Sequence, residues 1–432
     1  MDISRRTALK LKPIALSGIA LSTLFFSAYS FAGEWRGFSQ AQARSFFNDP
    51  MQTTPNNTPT DNQYISLMLQ PEYYTDWDEG SQSFTFVGMI RVDEHDEERS
   101  HNDIREFSYL KADVDWELKA GVSRVFWGVT ESRHLVDIIN QTDFVENPTG
   151  DDKLGQPMAQ LTLLRDYGNI GLFVLPYFRE RTFRGPLGRL GPNVDTENPI
   201  YEAKNEEEHG DWAVRWSNSL GPVDIGVSHF DGTNRQPILT FEPVLKEIPT
   251  IRPRYDLIEQ TSIDAQATLG SWIVKTEMLH QSRDREGNGF GFVGGTEYTF
   301  VGVLNSKYDI TLFNEYLFDD REQQTFQNDL FMGMRFVFND ASSTELRAGT
   351  INDMDGEGAI ASMELSTRFA NFWKVSLLGR MFDDTRLEIP PIDVTVPASI
   401  SGTTDLLVTT DGETVLATDQ DDYVQLTIEH HF

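Results

Sequence analysis

Apolar and polar residues alternate with a period of two along most of the chain, and this alternation restricts the fold more than any other feature of the sequence. In residues 62–74, for example, Ile65, Leu67 and Leu69 occupy every second position, and Ser66 lies between two of them. Successive side chains of a β-strand point to opposite faces, so the pattern predicts strands with one apolar and one polar face. Sustained helical periodicity is scarce. The sequence therefore predicts an all-β protein.

The alternation predicts eighteen strands, separated by polar segments or by short turn sequences. Their expected ranges are 35–46, 62–74, 84–93, 103–113, 115–126, 156–165, 168–178, 211–219, 222–231, 254–268, 271–283, 290–302, 306–319, 325–338, 343–352, 357–369, 371–384 and 421–432. Together with their connections, these strands account for a single domain over residues 33–432.

The connections between these strands differ in length according to their order. Short links such as Asp166–Gly168 and Gly221–Pro222 follow even-numbered strands, whereas long polar segments such as 127–155 and 179–210 follow odd-numbered ones. Strands eleven, thirteen and fifteen are followed by shorter polar loops. This asymmetry is typical of a closed antiparallel transmembrane β-barrel, here of sixteen to eighteen strands, with short periplasmic turns and long extracellular loops. A mean hydropathy of −0.39 is compatible with such a barrel, because only every second strand residue meets lipid.

The first 32 residues have the features of a signal peptide. Four basic residues precede an apolar run over residues 14–28, and the small residues Ser30 and Ala32 follow at positions that a signal peptidase reads. The run is shorter than the roughly 20 residues of a membrane-spanning helix, so we expect cleavage after Ala32 rather than a permanent anchor. Export and barrel character together predict the cell outer membrane of a Gram-negative bacterium.

The acidic balance of the chain limits its partners. A formal charge of −31 argues against binding nucleic acid, because neutralising phosphates needs clustered Lys and Arg. The leader holds Arg5, Arg6, Lys10 and Lys12 but only one acidic residue, Asp2, so the chain beyond it carries −34. For a channel, this charge makes cation preference the default expectation. The absence of cysteine excludes disulfides and thiol chemistry.

The last ten residues alternate in the same way and end on an aromatic ring. The set expected to face lipid is Val424, Leu426, Ile428, His430 and Phe432, and Tyr423 belongs to the set expected to face a polar lumen. This ending resembles the C-terminal strand of bacterial outer-membrane proteins, with His430 as a departure from the apolar or aromatic pattern. The resemblance implies assembly by the barrel-assembly machinery and periplasmic chaperones, and contact with outer-membrane lipid and lipopolysaccharide. The alternative is an edge strand of a soluble exported β-sandwich.

One segment after the fifth strand departs from the strand pattern. It reads RVFWGVTESRHLVDIINQTDFVEN, and its distinctive positions are Trp127, Gly128, Thr130, Glu131, Asp137, Ile138, Ile139 and Asn140. These positions resemble a segment of a largely uncharacterised group of proteobacterial outer-membrane, porin-like proteins, in which a strand ends in Trp-Gly and an Asp-(Ile/Val)-(Ile/Val)-Asn sequence follows. The resemblance implies a barrel whose loop lies near the pore. It implies no particular substrate.

Within this loop, residues 127–155, the spacing of the apolar side chains predicts a short helix. Thr130 is a suitable N-cap, and Leu135, Val136, Ile138 and Ile139 follow at helical spacing. Leu135 and Ile139 need a buried surface, and in a barrel the available surface is the lumen wall. We therefore expect the loop to fold into the lumen.

Charged residues in and after the loop predict a constriction of the pore. The acidic candidates are Glu131, Asp137, Asp143 and Asp151, and the basic candidates are Arg179, Arg181, Arg184 and Arg189. Opposed acidic and basic linings would produce a transverse field that orients water and polar solutes and tunes ion preference. The alternative is that the arginines face outward and bind lipopolysaccharide phosphates.

No motif of catalysis interrupts this pattern, because the sequence has neither G-x-S-x-G nor H-E-x-x-H. Two oxygen-rich segments, 352–358 and 419–423, leave calcium binding open, but neither is a complete EF-hand loop. We therefore expect no cofactor, no metal and no enzymatic activity. The leading hypothesis is a porin-like channel for passive diffusion of small polar solutes or ions, alone or as a homo-oligomer. The alternatives are an uptake barrel for hydrophobic compounds and a barrel-embedded hydrolase.

Overall fold

The structure is a computed structural model that describes residues 33–49, 61–147, 149–191, 195–242, 250–285, 287–356, 358–383, 386–389, 407–408, 414–417 and 421–432. The expected signal peptide, residues 1–32, lies outside the described residues, as does most of the connection between the last two barrel strands.

Eighteen antiparallel strands form one closed barrel. In chain order they are β1 Glu34–Phe46, β2 Gln63–Trp77, β3 Gln82–Asp93, β4 Asn102–Ala112, β5 Trp116–Ser123, β6 Gln156–Leu163, β7 Asn169–Leu175, β8 Asp211–Leu220, β9 Val223–Thr233, β10 Leu257–Leu269, β11 Trp272–Arg283, β12 Gly287–Phe300, β13 Asp309–Asp319, β14 Asn328–Val337, β15 Glu345–Asp353, β16 Ala359–Phe369, β17 Trp373–Asp383 and β18 Tyr423–His431. Each strand pairs with the next one, and β18 pairs with β1 to close the sheet. The predicted all-β fold and the predicted number of strands are confirmed.

Two small sheets lie outside the barrel wall. One contains Ile200–Tyr201, Ile238–Glu242 and Thr250–Tyr255, and the other contains Arg386–Ile389, Leu407–Val408 and Thr414–Ala417. The first sheet explains why β10 begins at Leu257 and not at residue 254 as predicted: Thr250–Tyr255 pairs with Ile238–Glu242 instead of with the barrel. The helical elements of the described residues are two 3-10 turns, Glu206–Glu208 and Val303–Asn305, and no described helix has the length and apolar character needed to cross a membrane.

The two faces of the barrel wall differ as the alternation predicts. On β2, Ile65, Leu67 and Leu69 are exposed, whereas the intervening Tyr64 and Ser66 are buried. Most other strands repeat this arrangement, with large apolar side chains pointing outward and polar ones pointing inward, although some inward positions such as Phe173 and Leu279 are apolar. An outward apolar face on a closed sheet is the pattern of a barrel that spans a lipid bilayer.

Aromatic rings mark the periplasmic end of this belt. Trp77, Trp272 and Trp373 lie at the ends of their strands there and are exposed. An amphipathic ring is stable at the boundary between hydrocarbon and water. Trp127 differs from these tryptophans, because it follows the extracellular end of β5 and is buried inside the barrel.

The connections are short at the periplasmic end and generally long at the extracellular end. Gly221 and Gly270 each begin a two-residue periplasmic turn and have φ angles of 66° and 67°, a left-handed conformation that glycine adopts without the penalty of a β-carbon. At the other end, residues 124–155 join β5 to β6, and residues 176–210 join β7 to β8. These two connections determine what occupies the lumen.

Candidate functional site in the lumen

The connection between β5 and β6, residues 124–155, lies inside the barrel and is named the plug segment here. Its side chains Val136 and Val145 have no exposed surface, although neither belongs to a strand. From β5 the segment reaches Glu277 on β11 and Glu315 on β13, on the far side of the eighteen-stranded barrel. The plug segment therefore crosses the lumen.

Glu277 on β11 accepts four hydrogen bonds from the plug segment. The backbone N–H groups of Val129, Thr130 and Val136 donate to its carboxylate over 2.6, 2.8 and 3.0 Å. The Thr130 hydroxyl donates to the same carboxylate over 2.7 Å. Hydrogen bonds inside a protein are electrostatically stronger than those in water, so these four bonds hold both partners in place.

Glu315 on β13 holds the adjacent residues in the same way. The backbone N–H groups of Glu131 and Ser132 donate to its two oxygens over 2.8 Å, and the Ser132 hydroxyl adds a third bond. Gly295 pairs with Glu315 in the register of β12 and β13, and a β-carbon there would lie 2.6 Å from Cγ of Glu315. The absence of a side chain at Gly295 thus gives the carboxylate its room. Glu277 and Glu315 together are named the latch.

Apolar packing adds to the latch. Val136, Ile138 and Ile139 pack with Trp127 and with side chains of the lumen wall, which are Met158, Phe173, Leu175, Ala213, Phe230 and Ile258. Leu135 belongs to a second cluster, with Leu279, Val293 and Leu317. Burying an aliphatic side chain fully is worth about 1.5–3 kcal/mol, so these contacts favour the inward position of the plug segment.

The short helix expected after Thr130 does not form. In a helix each N–H bonds to the carbonyl four residues earlier. Here the N–H of Val136 donates to Glu277, and the N–H of Gly128 donates to Oδ1 of Asp137 over 3.0 Å. Side-chain carboxylates take the place of the helical carbonyls, and the segment adopts an irregular, turned conformation.

The other end of the plug segment is tied to β3 and β4 by ion pairs. Asp143 lies 2.5 Å from Arg105, and Glu146 lies 2.7 Å from Arg91. Burial raises the pKa of Asp143, but the hydrogen bond with His101 and the charge of Arg105 outweigh it and lower the pKa to about 2. Asp143 is therefore ionised at neutral pH and secures the segment to β4.

The connection between β7 and β8, residues 176–210, packs against the plug segment and is named the cover segment. The Thr182 hydroxyl donates to Asp143 over 2.8 Å, which joins the two segments directly. Arg179 pairs with Asp103 on β4, and Arg189 pairs with Asp421 beside β18, each over 2.7 Å. The cover segment is therefore fixed to the barrel wall on both sides of β1.

A cavity of about 900 Å³ remains in the lumen beside these two segments. Of the predicted constriction residues, Glu131, Asp137, Asp151, Arg181 and Arg184 line it. Asp143, Arg179 and Arg189 do not line it, because their ion pairs hold them within the packed segments.

Two of the predicted residues that line the cavity have close partners. Glu131 is paired with Lys275 of β11 over 2.9 Å, and Lys275 also pairs with Glu297 of β12. The guanidinium of Arg181, on the cover segment, lies 5.9 Å from the centre of the ring of Phe144, on the plug segment. Arg181 and Arg184 both lie inside the barrel, and neither faces the outer surface.

Trp127 and Asn140 stabilise the two ends of the plug segment. The rings of Trp127 and Phe173 pack edge to face with centroids 5.5 Å apart. The Asn140 amide donates to the carbonyls of Ser123 and Leu154 over 2.8 and 2.9 Å. Asn140 thereby joins the point where the chain leaves β5 to the point where it returns toward β6.

The C-terminal strand presents one face to each side of the wall. Leu426 and Phe432 are exposed on the outward side, and Tyr423 is buried on the lumen side. Val424 and Ile428 alternate with the lumen-facing residues in the same register. The ring of His430 lies 4.6 Å from that of Trp373, which places the histidine beside the periplasmic aromatic rings.

The charged side chains that line the cavity are mostly basic. The lining contains twelve arginines and one lysine against six carboxylates: Arg44, Arg91, Arg105, Arg124, Arg133, Arg181, Arg184, Arg235, Arg321, Arg335, Arg347, Arg380 and Lys153, against Glu131, Asp137, Glu146, Asp151, Asp152 and Glu364. Within the described residues, seven of these cations form no ion pair: Arg44, Arg124, Lys153, Arg181, Arg184, Arg335 and Arg380. Four of the carboxylates form none either: Asp137, Asp151, Asp152 and Glu364. The uncompensated charge of the lining is therefore positive, opposite in sign to that of the whole chain.

Sequence reasoning missed most of these cations. Arg44, Arg335 and Arg380 occupy strand positions that alternate with lipid-facing residues. The same period of two that predicts the lipid face also predicts these inward positions, so the signal was available. Among the described residues, no group of three or more His, Asp or Glu side chains is placed to hold a metal ion.

No protein-family model and no curated protein matches the chain. Several solved outer-membrane barrels are similar to it in fold. A Rhodopseudomonas blastica porin mutant is 12% identical, with 93% of this chain and 100% of that chain covered and a TM-score of 0.43. Wzi of Escherichia coli, involved in group 1 capsule assembly, is 8% identical, with 90% and 83% covered and a TM-score of 0.48. Pseudomonas putida OprB is 8% identical, with 93% and 94% covered and a TM-score of 0.44.

At these identities and TM-scores, the proteins are distant barrels. The architecture of this chain is established by its own strand pairing and by its apolar outer face. Membership of the group that carries the Trp127–Gly128 motif stays a prediction.

Proposed function

We propose that this protein is an outer-membrane channel through which small polar solutes diffuse passively, with a preference for anions. The supporting observation is the cavity lining, in which seven cations and four carboxylates have no ion-pair partner among the described residues. Fixed positive charges in a narrow aqueous passage attract anions and repel cations. A barrel of eighteen strands is wide enough for such a passage even when segments fold into it.

Anion preference replaces the cation preference expected from the net charge. The charge of −34 belongs to the whole chain beyond the leader, and acidic residues are concentrated in extracellular segments such as 94–101. The fields of exposed charges are screened over about 10 Å at 0.1 M salt. Lining residues, in contrast, meet every permeating ion at close range.

Planar-bilayer recording of the purified full-length protein tests this function. Under a potassium chloride gradient, we expect a reversal potential whose sign shows that chloride permeates more readily than potassium. The opposite sign would contradict anion preference. An absence of conductance, together with no swelling of liposomes in sugars or amino acids, would contradict the channel itself.

Acidification is expected to increase the preference for anions. Burial, and next to it the charge of Glu146, raises the pKa of Asp152 in the plug segment to about 6. An acid loses its negative charge as the pH falls through its pKa. The lining therefore loses one negative charge between pH 7.5 and pH 5, an interval that extends about one pH unit or more on either side of the pKa. The permeability ratio of chloride to potassium should rise over this interval. In Asp152→Asn the ratio should be higher at pH 7.5 and should change less on acidification.

The alternative functions have less support from the lumen. Uptake of hydrophobic compounds needs a continuous apolar path, whereas this cavity is lined by many charged side chains. A hydrolase needs an activated nucleophile, but the Ser132 hydroxyl near the lining residue His134 donates to Glu315 and not to a histidine. Contact with lipopolysaccharide, recognition by the barrel-assembly machinery and chaperones, and a homo-oligomeric state stay predictions.

A further inference from the structure

Three arginines surround a recess of the cavity near the extracellular end of the barrel. Arg44 lies on β1, Arg380 on β17 and Arg184 on the cover segment, and all three line the cavity. Arg380 pairs in register with Tyr423 of β18, and the guanidinium of Arg44 lies 4.7 Å from the centre of the Tyr423 ring. Arg184 interacts electrostatically with both Arg44 and Tyr423. These four residues define what we name the mouth recess.

Guanidinium donors of Arg184 and Arg380 lack acceptors among the described residues, whereas Nε and Nη2 of Arg44 donate to Oε1 of Gln425 over 3.0 and 2.8 Å. Nε and Nη2 of Arg184 and Nε of Arg380 are buried without a hydrogen-bond partner. Arg184 is 5% exposed and Arg380 is 9% exposed, so bulk water does not replace the missing partners. Buried polar groups in folded proteins are nearly always hydrogen-bonded, and an exception calls for a bound water, ion or ligand.

Neighbouring carboxylates do not supply these acceptors. Asp93 is paired with Arg99 over 2.6 Å. Asp96 accepts the backbone N–H of Gly185 over 3.0 Å and forms no ion pair with Arg184 within the described residues. Burial and the charge of Arg99 lower the pKa of Arg184 to about 10, so its side chain is still charged at neutral pH. The recess therefore holds positive charge that an anion from solution can neutralise.

The mouth recess has an apolar side as well. Leu190, Leu378 and Phe382 pack with Tyr423, and all four side chains line the cavity. An inorganic anion would leave this surface in contact with water. An organic anion with a hydrocarbon or aromatic body would cover it and gain the free energy of apolar burial.

We propose that the mouth recess binds small organic carboxylates, with the carboxylate group against Arg44, Arg184 and Arg380 and the apolar body against Leu378 and Phe382. The planar fork of a guanidinium matches the two oxygens of a carboxylate. This assignment names the solute class of the proposed channel and in that respect rests on the proposed function.

Benzoate is a suitable probe because it carries one carboxylate and one apolar ring. Its binding to the full-length protein in detergent is measured by isothermal titration calorimetry at low salt, with acetate and inorganic phosphate as comparison probes. We expect Arg184→Gln together with Arg380→Gln to weaken benzoate binding by at least about tenfold. Arg335→Gln removes another unpaired lumen cation, on β14, and is expected to leave the affinity within about twofold.

Benzoate affinity that is unchanged in the double variant would overturn the assignment, and so would binding no tighter than that of acetate or phosphate. Arg184 lies on a connection, so Arg184→Gln alone leaves every barrel strand intact and keeps the test valid if the double variant fails to fold. Heat-modifiable migration on a gel checks the folding of each variant. Benzoate binding without chloride conductance would support the mouth recess and contradict the channel. Chloride conductance without benzoate binding would support the channel and contradict the mouth recess.

Discussion

Replacing both latch residues, Glu277→Ala together with Glu315→Ala, should raise the mean single-channel conductance by at least about twofold and make the current noisier. Five backbone N–H groups of the plug segment then lose their carboxylate acceptors. Each buried N–H without an acceptor costs about 1–3 kcal/mol, which is enough to release the segment from the far wall. The water-filled cross-section of the barrel increases as a result. Single-channel recording in planar bilayers measures the effect.

Glu364→Ala is the matched control for the latch variant. Glu364 is also a carboxylate of the cavity lining, on β16, but it forms no described hydrogen bond with the plug segment. Its removal should shift ion preference slightly and leave the conductance near that of the unaltered protein. Equal conductances for the latch variant and for Glu364→Ala would show that the plug segment does not restrict the passage.

Replacing two lumen arginines by glutamate, Arg335→Glu together with Arg347→Glu, should abolish the anion preference of the channel. Both residues line the cavity, and they face each other directly across β14 and β15. Each replacement turns a positive charge of the lining into a negative one, which removes the positive excess of the cavity. The permeability ratio of chloride to potassium should fall from above about one to near one, as read from the reversal potential under a salt gradient.

The matched control places the same charge changes outside the lumen. Arg165 lies on a periplasmic turn and Arg285 lies at the extracellular end of β11, and neither lines the cavity. Arg165→Glu together with Arg285→Glu should leave the reversal potential almost unchanged, because exposed charges are screened by salt. If both double variants moved the potential equally, net charge and not the lining would determine selectivity.

Arg335 on β14 and Arg347 on β15 lie directly opposite each other in the register of the two strands. Like charges directly opposite on neighbouring strands destabilise a sheet. Arg347 is relieved by an ion pair with Glu345, whereas Arg335 forms no ion pair with a described carboxylate. Glutamate at both positions keeps a like-charge pair across β14 and β15, so the comparison changes the sign of this pair.

The barrel wall could be predicted from the sequence because it follows one local rule. Each strand residue meets either lipid or the lumen, so the polarity of residues such as Ile65 and Leu67 indicates which of the two they face. The rule does not identify the partner of a strand. Residues 250–255 alternate like a barrel strand but pair with Ile238–Glu242, and for this reason β10 begins three residues later than the alternation predicts.

The lumen could be predicted only in part, because its contacts join residues that are distant in the chain. Helical spacing at Leu135 and Ile139 correctly indicates that the segment has an apolar face, but the helix is lost to carboxylates on β11 and β13. Nothing near Arg179 in the sequence indicates its ion pair with Asp103, 76 residues away. Whole-chain charge also does not indicate the charge of the lining, because the acidic excess of the chain does not extend to the cavity.

The latch has a consequence for the order of assembly. Thr130 and Glu277 are 147 residues apart, and Glu131 and Glu315 are 184 apart, so the plug segment is made long before the strands that hold it. Contacts of such long sequence separation form late, since much of the intervening chain has to be in place first. We expect a nascent barrel that lacks β11 and β13 to expose its plug segment to protease and to leak ions. The plug segment then restricts ion passage only after β11 and β13 have been added to the barrel, late in its assembly.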